Sequence, residues 1–154
     1  MKITLYTADL QNAPVDALAL GVFSDEPDRG FVFSELTRAL DGALEHACRD
    51  EGFSGKPGKT VVFHTPGWKA RRIIVVGLGA RDASTVEGAR HYAGAAVTAA
   101  VQGGARSVAM QLPLPEPGED EESGPEVLRT VQALAEGAEL GTYSFDEYRT
   151  HEQD

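Results

Sequence analysis

The fold class that the sequence predicts is a three-layer α/β domain, a mixed sheet packed between helices. Strand-length apolar runs alternate with amphipathic helical segments in the order β, β, α, β, β, α, β, α. Such alternation argues for layered α/β architecture. The run Ala17–Phe23 (ALALGVF) is almost unbroken in apolar residues, as befits a strand covered on both faces. The segment TPGWKAR joins two β-rich runs through the turn pair Pro66-Gly67, so one hairpin is expected and the sheet is mixed.

Each element has its own signal. Residues 2–7 alternate Ile3 and Leu5 with Thr4 and Tyr6, a short strand. From Ser34 to Asp50 the period lengthens. Leu36, Leu40, Leu44 and Ala47 share one helical face, and Gly52 follows as a stop. Lys59–His64 and Arg72–Leu78 are the hairpin strands. Ser84 and Glu87 form a capping box that satisfies two orphan donors of a helix's first turn. Ala89, Tyr92, Ala93, Ala96, Val97, Ala100 and Val101 then make a stripe of small residues, and Gly103-Gly104 ends it. Ser107–Leu112 is a strand, and PLPEPGEDEESG reads as a solvated loop. A last helix spans about Pro125 to Glu139, with Val127, Val131, Leu134, Ala135 and Ala138 on one face.

Composition narrows the function classes. A chain of 154 residues is most simply one domain, long enough to bury roughly 68–70% of its unfolded surface. The formal net charge of −10 disfavours non-specific binding to nucleic acid or anionic membranes. The single cysteine, Cys48, has no internal partner, which suits a reducing, cytoplasmic setting. No run approaches the roughly 20 apolar residues of a membrane span, and MKITLYTADL lacks a signal-peptide core.

Chemistry-bearing residues are sparse. His46, His64, His91 and His151 are scattered, none with a partner at metal-ligand spacing. Cys48 has no histidine pattern to activate it and reads as a partly buried, inert thiol. Gly77, Leu78, Gly79 and Ala80 follow a strand and precede a helix, where backbone N–H groups can cradle a phosphate. The tight strand-to-helix turn is the simpler reading, because Asp82 stands where the dinucleotide fingerprint needs glycine or alanine. Residues 52–81 hold Lys56, Lys59, Lys69, Arg71, Arg72 and Arg81 with no acid. Only Trp68 accompanies them, so base stacking has little support and pairing with neighbouring acids is the simpler reading. Trp68, at the hairpin tip, either anchors a protein contact or folds back over its own sheet. Tyr143, Phe145 and Tyr148, three aromatics in six residues, are candidate interaction residues.

Residues 133–150, ALAEGAELGTYSFDEYRT, resemble the junction between the N-terminal and peptidase domains of the leucyl aminopeptidase (cytosol aminopeptidase) family. VDALALGVFSDE, ALDGALEHA and TVVFHTPG followed by RRIIVVGLGARD resemble that family's N-terminal domain in order and spacing. The resemblance implies a macro-domain-like fold over residues 1–141, with 142–154 a tail leading toward a peptidase domain that this chain does not contain. It implies that the family's metal-dependent chemistry, with two divalent ions (zinc or manganese), belongs to that domain. No segment matches Asn-Thr-Asp-Ala-Glu-Gly-Arg, so no catalytic, cofactor-binding or metal residue is assigned here. By the same resemblance the partners are the peptidase domain and other subunits of a hexamer, and the chain's role is structural, in assembly. The alternative is a freestanding macro-like module that binds a nucleotide or ADP-ribose, or a docking partner. In that reading Asp16 resembles the adenine-reading aspartate of macro domains. The asparagine-rich loop that should follow is replaced by Gly21–Glu26, whose Asp25 and Glu26 would repel a pyrophosphate.

Overall fold

The computed structural model describes residues 2–6, 10–81, 86–112 and 128–141, with residues 2–6 and Val86 described by their backbone alone. Strands β1 (Lys2–Tyr6), β2 (Ala17–Phe23), β3 (Thr60–His64), β4 (Arg72–Gly79) and β5 (Ser107–Gln111) form one sheet in the order β1-β5-β2-β4-β3. Helices α1 (Phe31–Ala39) and α2 (Ala43–Asp50) precede β3, α3 (Val86–Gln102) joins β4 to β5, and α4 spans residues 128–141. All neighbouring strands are parallel except β3, which pairs antiparallel with β4 from Thr60 opposite Val76 to His64 opposite Arg72. This is the expected hairpin, and the mixed three-layer architecture is as the sequence predicts.

The period of two in a strand sorts the core into two layers. Leu18, Leu20 and Val22 of β2 and Ile73 and Val75 of β4 pack under α1 and α2 with Phe33, Leu36, Leu44 and Cys48. Ala17, Ala19, Ile74, Val76, Val108 and Met110 face the other way, onto the small residues of α3 and onto Leu134 and Ala138 of α4. A strand covered on both faces must be apolar throughout, which explains ALALGVF.

Three expectations are corrected. The helix expected over 34–50 is two helices, and the first begins at Phe31. The break is a helix-ending turn in which the N–H of Gly42 donates to the carbonyl of Thr37 (2.8 Å) and that of Asp41 to Arg38 (3.2 Å). Asp41 takes the left-handed conformation there (φ 54°) and Gly42 follows at 85°. Leu40, expected on the buried stripe, is the C-cap of α1, and Cys48 rather than Ala47 lies fully in the core.

The stripe on α4 is rotated. Ala133, Leu134, Gly137, Ala138 and Gly141 are buried, whereas Ala135 is exposed and Val131 only half-buried. Glycine is the reason. A Cβ on Gly137 would collide with the carbonyl oxygen of Arg90, and one on Gly141 would come within 2.9 Å of the Gly94 carbonyl oxygen. The bare backbones of α3 and α4 therefore touch, and no apolar count of side chains reveals that face. Ser84 and Val127 lie outside the described residues, as does the acidic segment 113–124.

Candidate functional site

The turn between β2 and α1 stands at the carboxyl ends of the parallel strands, where open α/β sheets present their ligand crevices. Asp28 (φ 53°), Arg29 (φ 59°) and Gly30 (φ 94°) run consecutively through positive φ. Non-glycine residues enter that region at a cost, and they persist where surroundings hold them. Arg29 does the holding. Its Nε donates to Oε2 of Glu45 on α2 (3.0 Å), and its Nη1 donates to the carbonyl of Phe53 (2.9 Å). Its guanidinium lies 5.7 Å from the Phe33 ring centre and 5.3 Å from that of Phe53. Glu45 is shared with Arg49 at 3.3 Å. Arg29 therefore fastens the turn to α2 and to the strand approach behind it.

Beside this clamp opens a cleft of about 540 Å3, within the size range of small-molecule pockets. Ser24, Asp28, Ser34, Thr37, Arg49 and Ser54 line it together with the paired charges of Glu26, Arg29 and Glu45. These groups can hydrogen-bond a ligand, but they pair no nucleophile with a base. Among the described residues, no three His, Cys, Asp or Glu side chains come together to hold a metal ion. The resemblance places the two-metal chemistry in the peptidase domain, and no step through a metal is derived for the residues described.

The residues singled out in the sequence do not converge. Asp16 lies at the amino end of β2. Its Oδ2 accepts from the N–H of Arg106 (2.7 Å), and its own N–H donates to Oγ of Ser107 (3.0 Å). It ties the start of β2 to the start of β5. Gly77, Leu78, Gly79 and Ala80 sit at the opposite end, since Gly79 pairs with Phe23 and Arg72 with Ala17. Seven residues of strand, roughly 20 Å, separate the two positions. The glycine N–H groups are also occupied. Gly77 donates to the Lys59 carbonyl (2.8 Å) and Gly79 to that of Gly55 (2.8 Å). A Cβ on Gly77 would strike the carbonyl oxygen of Lys56, so the glycine admits a neighbouring backbone there.

Asp25 and Glu26 are committed to Arg81. The Arg81 N–H donates to Oδ1 of Asp25 (3.1 Å), its Nη2 meets Oε1 of Glu26 (2.8 Å), and its guanidinium lies over the Phe23 ring at 4.7 Å. The basic stretch is divided between the sheet's two ends. Lys56 and Lys59 flank the Gly77 turn, while Lys69, Arg71 and Arg72 flank the hairpin tip. Trp68 is half-buried against the α1–α2 core layer. Cys48 is fully buried, and desolvation pushes its thiol up to about 11, leaving it protonated at neutral pH. Tyr143, Phe145 and Tyr148 lie outside the described residues.

Arg29 escaped the sequence analysis. Pro27-Asp28-Arg29-Gly30 reads as any surface turn, and the partners of Arg29 lie 16 and 24 residues away.

The sequence model of the cytosol aminopeptidase family, N-terminal domain, matches residues 19–152. A probable cytosol aminopeptidase of Geobacter sp. (strain M21) is 36% identical over the whole chain, which covers 29% of that protein. A tomato leucine aminopeptidase mutant superposes with a TM-score of 0.72 at 28% identity, over 92% of this chain and 28% of its own. The macrodomain of Mycobacterium tuberculosis DarG superposes with a TM-score of 0.65 at 19% identity over 90% of both chains, a likeness of fold alone. The chain thus spans about three tenths of the length of the curated relatives it matches. On the family match and the shared fold, the chain belongs to the cytosol aminopeptidase family, whose N-terminal, macro-like domain it carries.

Proposed function

We propose that this domain serves a longer, cytoplasmic leucyl aminopeptidase-type enzyme as its accessory part, shaping assembly, while a C-terminal peptidase domain holds the two divalent metals, zinc or manganese, and performs hydrolysis. One observation carries the reading: the matched relatives are more than three times as long as the chain, and the match falls on their N-terminal domain. In such an enzyme the metals held by the peptidase domain would activate a water for hydrolysis of the N-terminal peptide bond. Asp16, Arg29 and the Gly77 turn are internal fastenings here and have no place in that step. No described helix is long and apolar enough to cross a membrane, which agrees with a soluble setting.

The test is a graft. The chain alone should release no amine from a chromogenic leucine amide, with or without manganese. Joined to the peptidase part of the Geobacter relative, in place of that protein's own N-terminal domain, it should restore a hexamer by light scattering. Metal-dependent hydrolysis by the isolated chain would overturn the accessory role. A graft that folds and hydrolyses but stays monomeric would overturn the assembly role.

A further inference from the structure

Among the described residues β3 is an outer strand of the sheet, paired on one side alone, with β4. The hydrogen bonds of its two ends show which main-chain groups are left over. The N–H of Thr65 donates to the carbonyl of Arg71 (2.9 Å), and that of Gly77 to the carbonyl of Lys59 (2.8 Å). In an antiparallel pair the hydrogen-bonded positions recur at every second residue. Val61 and Phe63, between those two ends, therefore turn their main-chain groups to β4. Thr60, Val62 and His64 turn theirs outward.

An open strand edge is a template for a further strand, and native chains guard it with proline, a bulge or a charge. β3 has none of these. Its sequence, TVVFH, holds no proline, lysine, arginine or carboxylate, and its register with β4 is unshifted from end to end. The other outer strand, β1, carries Lys2. Val61 and Phe63 pack against the α1–α2 layer, so Val62 stands on the opposite face of the sheet, where it is exposed.

This edge is complementary to itself, which names its occupant as a second copy of the chain. Turned antiparallel about Val62, two such edges set Val62 opposite Val62, Thr60 opposite His64 and Val61 opposite Phe63. Each outward N–H then meets an outward carbonyl. The side-chain pairs are β-branched or aromatic, the kinds that stabilise neighbouring strands. Like charges do not meet, because Lys59 falls opposite Thr65. Acids are kept away too: the strand lies within residues 52–81, which hold none in a chain of net charge −10.

We propose that two copies of this domain join by antiparallel pairing of their β3 edges, about a two-fold axis at Val62, into one continuous sheet. Both copies use the same surface, so the assembly closes as a dimer. The contact rests on the strand's register and does not depend on the aminopeptidase reading. Strands of five residues bury less than the roughly 1,200 Å2 of a stable interface, so the dimer is a weak one.

Sedimentation equilibrium of the 154-residue chain, from about 10 µM to about 1 mM, should show monomer and dimer with a dissociation constant on the order of 0.1 mM. Hydrogen exchange read amide by amide reports the register. Thr60, Val62 and His64 should slow about fivefold between the ends of that range, as the monomer fraction falls. Val61 and Phe63 should be slow throughout. Val62→Lys places like charges opposite each other at the axis and should leave a monomer, and so should Val62→Glu. An equal mixture of the two variants should dimerise again. A chain that stays monomeric across the range would overturn the proposal. So would a dimer in which Thr60, Val62 and His64 exchange as fast as in the monomer, an undiminished dimer in Val62→Lys, or a mixture that stays monomeric. The exchange pattern needs no variant, so it decides the matter even if a substitution fails to fold.

Discussion

Arg29 occupies a conformation that side chains avoid, and its contacts account for the position. A half-buried guanidinium that donates to Glu45 and to the Phe53 carbonyl between two phenylalanine rings offsets the left-handed backbone of Asp28 and Arg29. Arg29→Met keeps the length and loses the donors. It should lower unfolding free energy by about 2 kcal/mol, because the Phe53 carbonyl and Glu45 lose a charged partner. Arg29→Lys should recover only part of this, since an ammonium cannot serve both acceptors and both rings in one geometry. Equal stability of wild type and Arg29→Met by urea titration would refute the clamp. Cys48 gives a second prediction at this scale. Burial raises its thiol from the ordinary value to about 11, so the folded chain holds a proton that the unfolded chain gives up near pH 8.5. The associated stability is whole below that pH and is lost as pH rises toward 11. Alkylation by iodoacetamide at pH 8 should be slow in the native chain and fast in urea. Equal rates would show the thiol to be open.

At the scale of elements, the contact between α3 and α4 is a glycine contact. Gly94, Gly137 and Gly141 let the two backbones meet, and the nearest atoms to any added Cβ are main-chain carbonyls that cannot step aside. Gly137→Ala should therefore cost about 1–3 kcal/mol by overpacking, despite alanine's higher helix propensity. Hydrogen exchange should speed up in α4 before the sheet is touched. Unchanged or slower exchange would mean that α4 tolerates a shift. The bridge from Nε of Arg90 to Oε2 of Glu136 (2.7 Å) spans the same two helices. It is solvent-exposed, so it steers the contact more than it strengthens it. The break between α1 and α2 has a similar local cause. Asp41 and Gly42 take helix-ending conformations inside a sequence whose apolar spacing runs straight through them.

Across the whole molecule, the two ends of the sheet are fastened by different groups. The amino ends of the strands are tied by Asp16 to Arg106 and Ser107. The carboxyl ends carry the cleft and the Arg29 clamp.

The sequence by itself determined the layered α/β class, the hairpin, the small-residue stripe of α3 and the family, because periodicity, turn chemistry and motif order are local properties of the chain. Only the tertiary structure decided which face of α4 is buried, where the first helix breaks, and that Asp16 and the Gly77 turn stand roughly 20 Å apart. It alone brought Arg29 to Glu45 and Phe53. The physical reason is shared. Backbone approach, left-handed turns and hydrogen bonds between distant segments depend on which atoms fold into contact, and no spacing along the chain encodes them.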